Sequence, residues 1–396
     1  MNAPRTLRSF AATSIFALAA AACGLAGCSD VADGDPDGTE DELSQKPPQY
    51  VLLAFDGSYS NAFWKESREF AKEAARQGAP LKFTYFINAA YYIPREDRRG
   101  NQLYSPPKHA RGASAIGWGD NDADIAKRIE QTNLAFREGH EIGSHTVGHW
   151  DGSTWNQAEW DSEFSQFDKL LFDTPHPGAE PLDFAANDLL GFRAPQLGHS
   201  PGLWPVLKNY GYTYDTSQGR ESNYWPEKLN GGIWNMALGR INIVGMSKRN
   251  GDPLSTWSMD YNFYANQSGG VDKVENKATY KKQMLDSYKS YFNANYNGNR
   301  APVHIGHHFS KWNGGAYWEA MREFALWACA QPNVKCTTYK EFVDFMESRT
   351  PQQLADYKNR AFTPAGDMEG AEEDVVDQPE AHDENQDPVE ENQDPQ

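Results

Sequence analysis

Short apolar runs that end in a reactive side chain alternate with helical stretches along most of this chain. Tyr50-Val51-Leu52-Leu53-Ala54-Phe55 runs straight into Asp56. An apolar run without polar alternation reads as a strand buried on both faces. Positions 61–77 follow with helical spacing: Phe63, Phe70, Ala71, Ala74 and Ala75 oppose Lys65, Arg68, Lys72 and Arg76. Further strands are predicted over 81–87, 140–145, 190–193, 212–215, 241–246, 302–308 and 334–337. Further helices are predicted over 122–138, 160–172 and 339–346. This alternation implies a mostly parallel sheet of the α/β class, and the length of 49–350 suits an α/β barrel.

Asp56, His145, Arg193, Asp215 and His308 all fall at or just past the C-terminal ends of predicted strands. In α/β barrels that edge carries the active site. His145 and His149 are four apart, a spacing that lets one strand end aim two imidazoles at a single metal ion. Alone, such a pair is a weak signal, because exposed and capping histidines share it. The run His304-Ile305-Gly306-His307-His308 holds three histidines. Strand alternation puts His304 and His308 on one face and His307 on the other, where it would pack. His140 is expected to be structural.

The chain ends differ in kind from the middle. Arg5 and Arg8 precede an apolar run over 10–22 that is too short for a membrane span. Leu25-Ala26-Gly27-Cys28 resembles a bacterial lipobox, so 1–28 reads as a lipoprotein signal with Cys28 lipidated. An exported lipoprotein is expected, held at the membrane through Cys28, and Ser29 points to the outer membrane. Residues 29–48 form an acidic tether and 365–396 an acidic low-complexity tail. These segments account for nearly all of the net charge of −18, so 49–364 is close to neutral. Nothing there is a basic nucleic-acid footprint. In an exported protein Cys329 and Cys336 are expected to form a disulfide.

Taken in order, these strand ends resemble the NodB-type polysaccharide deacetylases, carbohydrate esterase family 4, on the branch that includes insect chitin deacetylases. The similarity covers roughly 50–350 and five motifs. The family's Thr-Phe-Asp-Asp-Gly stands here as Ala54-Phe55-Asp56-Gly57-Ser58. The histidine motif is His145-Thr146-Val147-Gly148-His149. Arg-x-Pro-Tyr becomes Arg193-Ala194-Pro195-Gln196. Tyr214-Asp215-Thr216-Ser217 matches the fourth motif, and Arg300-Ala301-Pro302 followed by 303–308 matches the fifth. The resemblance implies an irregular (β/α)7-8 barrel of the polysaccharide deacetylase type.

It also implies roles. His145 and His149 would hold a divalent metal, with zinc expected. Asp56 would be the general base, His308 the general acid, and Arg193 the partner that keeps Asp56 ionised. Gln196 would offer a backbone N–H to an oxyanion, and Asp215 would help bind substrate. Trp150, beside His149, and Trp312, held by the turn Asn313-Gly314-Gly315, are candidate sugar platforms. Gly57 departs from the pattern, since the family places its third metal ligand there. Asp56 could ligate and leave no separate base. It could remain the base while Ser58, a water or another group fills the gap. Or the metal site could be lost. The expected function is metal-dependent hydrolysis of N-acetyl groups from an N-acetylglucosamine-containing polysaccharide. A catalytically silent glycan-binding protein and an O-acetyl esterase are the alternatives.

Overall fold

A computed structural model describes residues 45–95, 103–229 and 231–362. The expectations for 1–28, for 29–44 and for 365–396 lie outside the described residues. In chain order the strands are β1 (Gln49–Asp56), β2 (Phe83–Ile87), β3 (Glu141–Ser144), β4 (Gly191–Phe192), β5 (Tyr214–Asp215) and β6 (Gly219–Glu221). They continue as β7 (Trp234–Asn235), β8 (Leu238–Ser247), β9 (Pro253–Trp257), β10 (Val303–His308) and β11 (Val334–Cys336). The main sheet runs β10-β1-β2-β3-β4-β5-β7, with β11 also paired to β1, and every pairing in it is parallel. The (β/α) barrel expected from the alternation is therefore present in open form.

Strand β1 shows why the run must be apolar throughout. Val51, Leu53 and Phe55 belong to the core under the helices, and Tyr50, Leu52 and Ala54 to a second core inside the barrel. The two-residue side-chain period then turns Asp56 toward the barrel interior at the strand's end. The parallel register sets His308 directly beside it, with Asp56 paired to His308 and Ala54 to Gly306.

The outer helices include α1 (Asn61–Arg76), α2 (Asp122–Arg137), α3 (Gln157–Asp168), α4 (Leu203–Asn209) and α5 (Asp260–Ser268). They continue with α6 (Lys277–Tyr296), α7 (Trp312–Cys329) and α8 (Tyr339–Glu347). Ser60, Asn121, Asn156 and Thr338 cap four of them through side-chain oxygens. Helix α6 does not stand out in the sequence because tyrosines make up much of its buried face. Tyr280, Met284, Tyr288 and Tyr291 recur at helical spacing on α6.

The strand expected at 241–246 exists, but it lies in a separate sheet, β6-β8-β9. Its burial alternates, with Ile241 and Ile243 inside and Asn242 and Val244 exposed. That is the pattern of a sheet wet on one face. In the main sheet, no described residues hydrogen-bond β7 to β10. Beyond β10 an extended segment lies along its edge. Gly306 N–H donates to Ser258 O at 2.9 Å, and Ser258 Oγ donates to His304 O at 2.6 Å. Cys329, ending α7, meets Cys336 of β11 at a Cα–Cα distance of 5.6 Å, as a disulfide requires.

A buried carboxyl ties the barrel together. Glu141 accepts Tyr214 Oη at 2.9 Å, Thr84 Oγ1 at 2.9 Å and Lys340 N at 3.0 Å, linking β2, β3, β5 and α8. Burial pushes its pKa up to about 7. An unfolded glutamate titrates near about 4.3, so folding takes up a proton between those values. The stabilisation from this group is complete below about pH 4.3 and is lost as pH rises to about 7. Glu141→Gln should therefore gain roughly 5 °C of melting temperature relative to wild type between about pH 5 and about pH 8. A gap that stays constant across that range would show that the proton is not held.

Candidate active site

A cleft of about 730 Å³ opens at the C-terminal edge of the main sheet. Asp56, His145, His149, Gln196, His308 and Trp312 all line it. Six residues expected from sequence to act together are thus in one place.

Asp56 is 4% exposed. Arg193, wholly buried at the end of β4, donates from Nη1 to Asp56 Oδ1 at 2.7 Å. Its other terminal nitrogen reaches Thr216 Oγ1 at 3.1 Å and Tyr339 Oη at 3.3 Å. The guanidinium lies 4.6 Å over the Phe86 ring. Burial alone would raise the Asp56 pKa. The Arg193 charge, the neighbouring His308 and the Arg193 hydrogen bond outweigh it and hold the carboxylate below its usual range.

His308 has a partner that sequence reasoning missed. Asp260, the first residue of α5, accepts from His308 Nδ1 at 2.6 Å and from His308 N at 2.9 Å. Burial pulls the imidazole pKa down, but the Asp260 carboxylate and Asp56 carry it above the ordinary value. With Nδ1 taken by Asp260, Nε2 is the ring nitrogen left for a ligand. His307 points the other way, as alternation predicts, with Nε2 3.2 Å from Tyr288 Oη. His304 stacks on Tyr339 inside the barrel.

His145 and His149 meet at a ring separation of 4.9 Å. The turn between them holds Thr146 at φ 62° and His149 at φ 59°, a left-handed backbone rare for such residues. His145 Nδ1 lies 2.7 Å from Arg193 O, so it carries the proton and donates. The lone pair is left on Nε2, which is buried without a hydrogen-bond partner. Burial lowers the His145 pKa to about 3 and also lowers that of His149, keeping both imidazoles neutral. A neutral imidazole with its far nitrogen fixed by a carbonyl is the form that binds metal. The two histidines fit a divalent ion. A third ligating carboxylate is missing: among the described residues no three His, Cys, Asp or Glu side chains gather to hold one. Gly57, at φ 81°, has no atom within 4 Å of where its Cβ would stand.

Two expected substrate contacts need correction. Asp215 is fully buried and does not line the cleft. It accepts Ser217 Oγ at 2.5 Å and Ser217 N at 3.1 Å, and Ser217 Oγ in turn accepts Ala194 N at 2.8 Å. It therefore props the segment that carries Arg193 and Gln196. Trp150 does not line the cleft either. Its ring stacks 3.6 Å from His109, and its Nε1 donates to Ala113 O. Trp155, Trp160, Trp225, Trp234 and Trp318 are buried as packing groups.

Trp312 is in the cleft, 5.3 Å from the His308 ring and stacked parallel to Tyr264 at 4.9 Å. Asn313, Gly314 and Gly315 turn the chain there at φ 52°, 69° and 85°. Tyr261, half exposed, joins this wall 5.6 Å from Trp312. Gln196 sits at the lip with φ 56°. No sequence signal marked Tyr261 or Asp260, because neither follows a strand of the main sheet.

No family model matches the chain, and no curated protein does. Among solved structures it is similar to the chitin deacetylase of the fungal pathogen Colletotrichum lindemuthianum. Identity is 14%, coverage 78% of this chain and 92% of that one, and the TM-score 0.42. It is also similar to a family 4 carbohydrate esterase from Streptomyces lividans solved with acetate, at 12% identity, 72% and 90% coverage and TM-score 0.36. An allantoinase aligns at 14% identity, 77% and 92% coverage and TM-score 0.43.

Proposed function

We propose that this chain is a metal-dependent hydrolase that removes N-acetyl groups from an N-acetylglucosamine-containing polysaccharide and releases acetate. One observation carries the reading. A carboxylate and an imidazole end neighbouring strands in one cleft, Asp56 beside His308, each hydrogen-bonded to a buried partner of opposite sign, Arg193 and Asp260. Amide hydrolysis needs that pair, a base for the attacking water and an acid for the leaving nitrogen. Asp56 would take the water's proton. His308 would give one to the amine. A divalent ion held by His145 and His149, with zinc expected, would polarise the acetyl carbonyl and acidify a water.

The substrate class rests on the motif set and on the cleft wall. Trp312 and Tyr261 present flat aromatic faces beside His308, as sugar rings require. The domain around them is close to neutral, which suits an uncharged N-acetylated glycan. Export and attachment through Cys28 would place the enzyme in the cell envelope, at the outer membrane.

Gly57 favours a second reading, a glycan-binding protein without catalysis, because the family's third ligand is gone. Metal content of the full chain, with acetate and free amine measured on chitin oligomers before and after chelation, separates the readings. Bound metal with chelator-sensitive release of acetate and amine supports the deacetylase. Acetate from acetylated xylan without free amine would indicate the esterase. Glycan binding with neither metal nor acetate would replace the proposal.

A further inference from the structure

The side of the cleft opened by Gly57 holds unpaired lone pairs. His145 Nε2 and Asn88 Oδ1 are both buried without a hydrogen-bond partner, and so is Ser58 Oγ by distance. Ser58 interacts with the Tyr92 hydroxyl, which is itself bonded to Thr132. The three residues follow the ends of neighbouring parallel strands, β1 into Ser58, β2 into Asn88 and β3 into His145. All three line the same cleft and are at most 2% exposed. Buried polar atoms are nearly always satisfied, so several orphans in one spot call for a common partner.

The chemistry of that partner is constrained. Asn88 Nδ2 donates to His145 O, so the amide oxygen must be the free end. Flipping the amide would set oxygen against oxygen. His145 Nδ1 donates to Arg193 O, so its free nitrogen is also a lone pair. Two fixed lone pairs take either a hydrogen-bond donor such as water or an electron-pair acceptor that displaces it. The nearby carboxylate, Asp56, is already paired with Arg193. Space for the acceptor exists beside Gly57.

We infer that Asn88 Oδ1, assisted by Ser58 Oγ, is the protein donor that replaces the missing carboxylate and completes a cation site with His145 and His149. This rests on the reading of the cleft as a metal hydrolase. The donor set is then uncharged. A borderline ion such as Zn²⁺ or Co²⁺ keeps its full charge for polarising a carbonyl, and it binds more weakly than it would beside a carboxylate. Asn88 acts on the ion and also holds the turn of His145, so it ties ligand position to ligand identity.

Co²⁺ titration of the full chain, read by visible absorption and by calorimetry, tests this without any activity assay. Asn88→Ala should weaken Co²⁺ binding about tenfold or more and change the absorption band. Ser58→Ala, a smaller change, should weaken it a few-fold and serves if Asn88→Ala melts early. Gly57→Asp should tighten binding about tenfold or more and make it insensitive to Asn88→Ala. Unchanged Co²⁺ affinity in both the Asn88 and Ser58 variants overturns the inference. So does a wild type that binds no Co²⁺ while Gly57→Asp binds it. Acetate release by the wild type decides the hydrolase reading separately, since it can persist or fail whichever donor is third.

Discussion

His308→Ala is expected to lower kcat/KM for acetate release from chitin oligomers by roughly 10²–10⁴-fold, the usual worth of a positioned proton donor. Asp56→Asn should cost a comparable factor by removing the base. The two side chains end paired strands and face one cleft, so neither can be replaced by a neighbour. The pH dependence gives a sharper check. Asp56 is held below the ordinary carboxylate range, so the acid limb of kcat/KM should lie low. His308 is held above the ordinary imidazole value, so activity should fall only as pH rises past that raised value. Asp260→Asn removes the carboxylate that raises His308 and leaves the burial that lowers it. The basic limb should then move to lower pH, with KM little changed. If His308→Ala and Asp56→Asn both retain wild-type acetate release, the acid–base assignment is wrong.

Arg193→Met should be the most destabilising single change at the site, at about 3–5 kcal/mol by denaturant unfolding, because it leaves Asp56 charged and unpaired in the interior. Arg193 is fully buried and Asp56 nearly so, which keeps solvent from screening the loss. Guanidinium contacts to Thr216 and Tyr339 disappear as well. The double variant Arg193→Met with Asp56→Asn should recover a large part of that loss, since no uncompensated charge remains. An additive cycle, in which the double variant is as unstable as the sum of the singles, would mean the ion pair is not what Arg193 supplies. Any residual activity of Arg193→Met should show its acid limb shifted upward, because the Asp56 carboxyl loses its main stabilising charge.

The strand ends were legible because burial on both faces demands an unbroken apolar run, and the residue that breaks it marks the edge. Asp56 was found that way, whereas His145 stood out by its spacing to His149 and His308 by its run of histidines; Asp56 and His308 end their strands and His145 and Arg193 directly follow theirs. Trp312 was legible through the Asn313-Gly314-Gly315 turn, which needs left-handed backbone. The rule failed for Asp215, which also ends a strand. Its carboxyl is spent on Ser217, a contact two residues away that spacing alone cannot distinguish from one aimed at a ligand. It failed for Trp150 because a nearby loop supplies His109 to cover the ring.

By itself, then, the sequence determined the parallel strands and the polar residues that stand at their C-terminal ends. All of these follow from side-chain periodicity within a few residues. Only the tertiary structure decided which groups those residues meet. Asp260 and Tyr261 come from a segment that crosses the open edge of the barrel and bonds along β10 through Ser258. Asn88 and Ser58 reach the cleft because strands far apart in the chain pack side by side. Such placements depend on pairings across 30 to 250 positions, whose free energy no local pattern of apolar residues records.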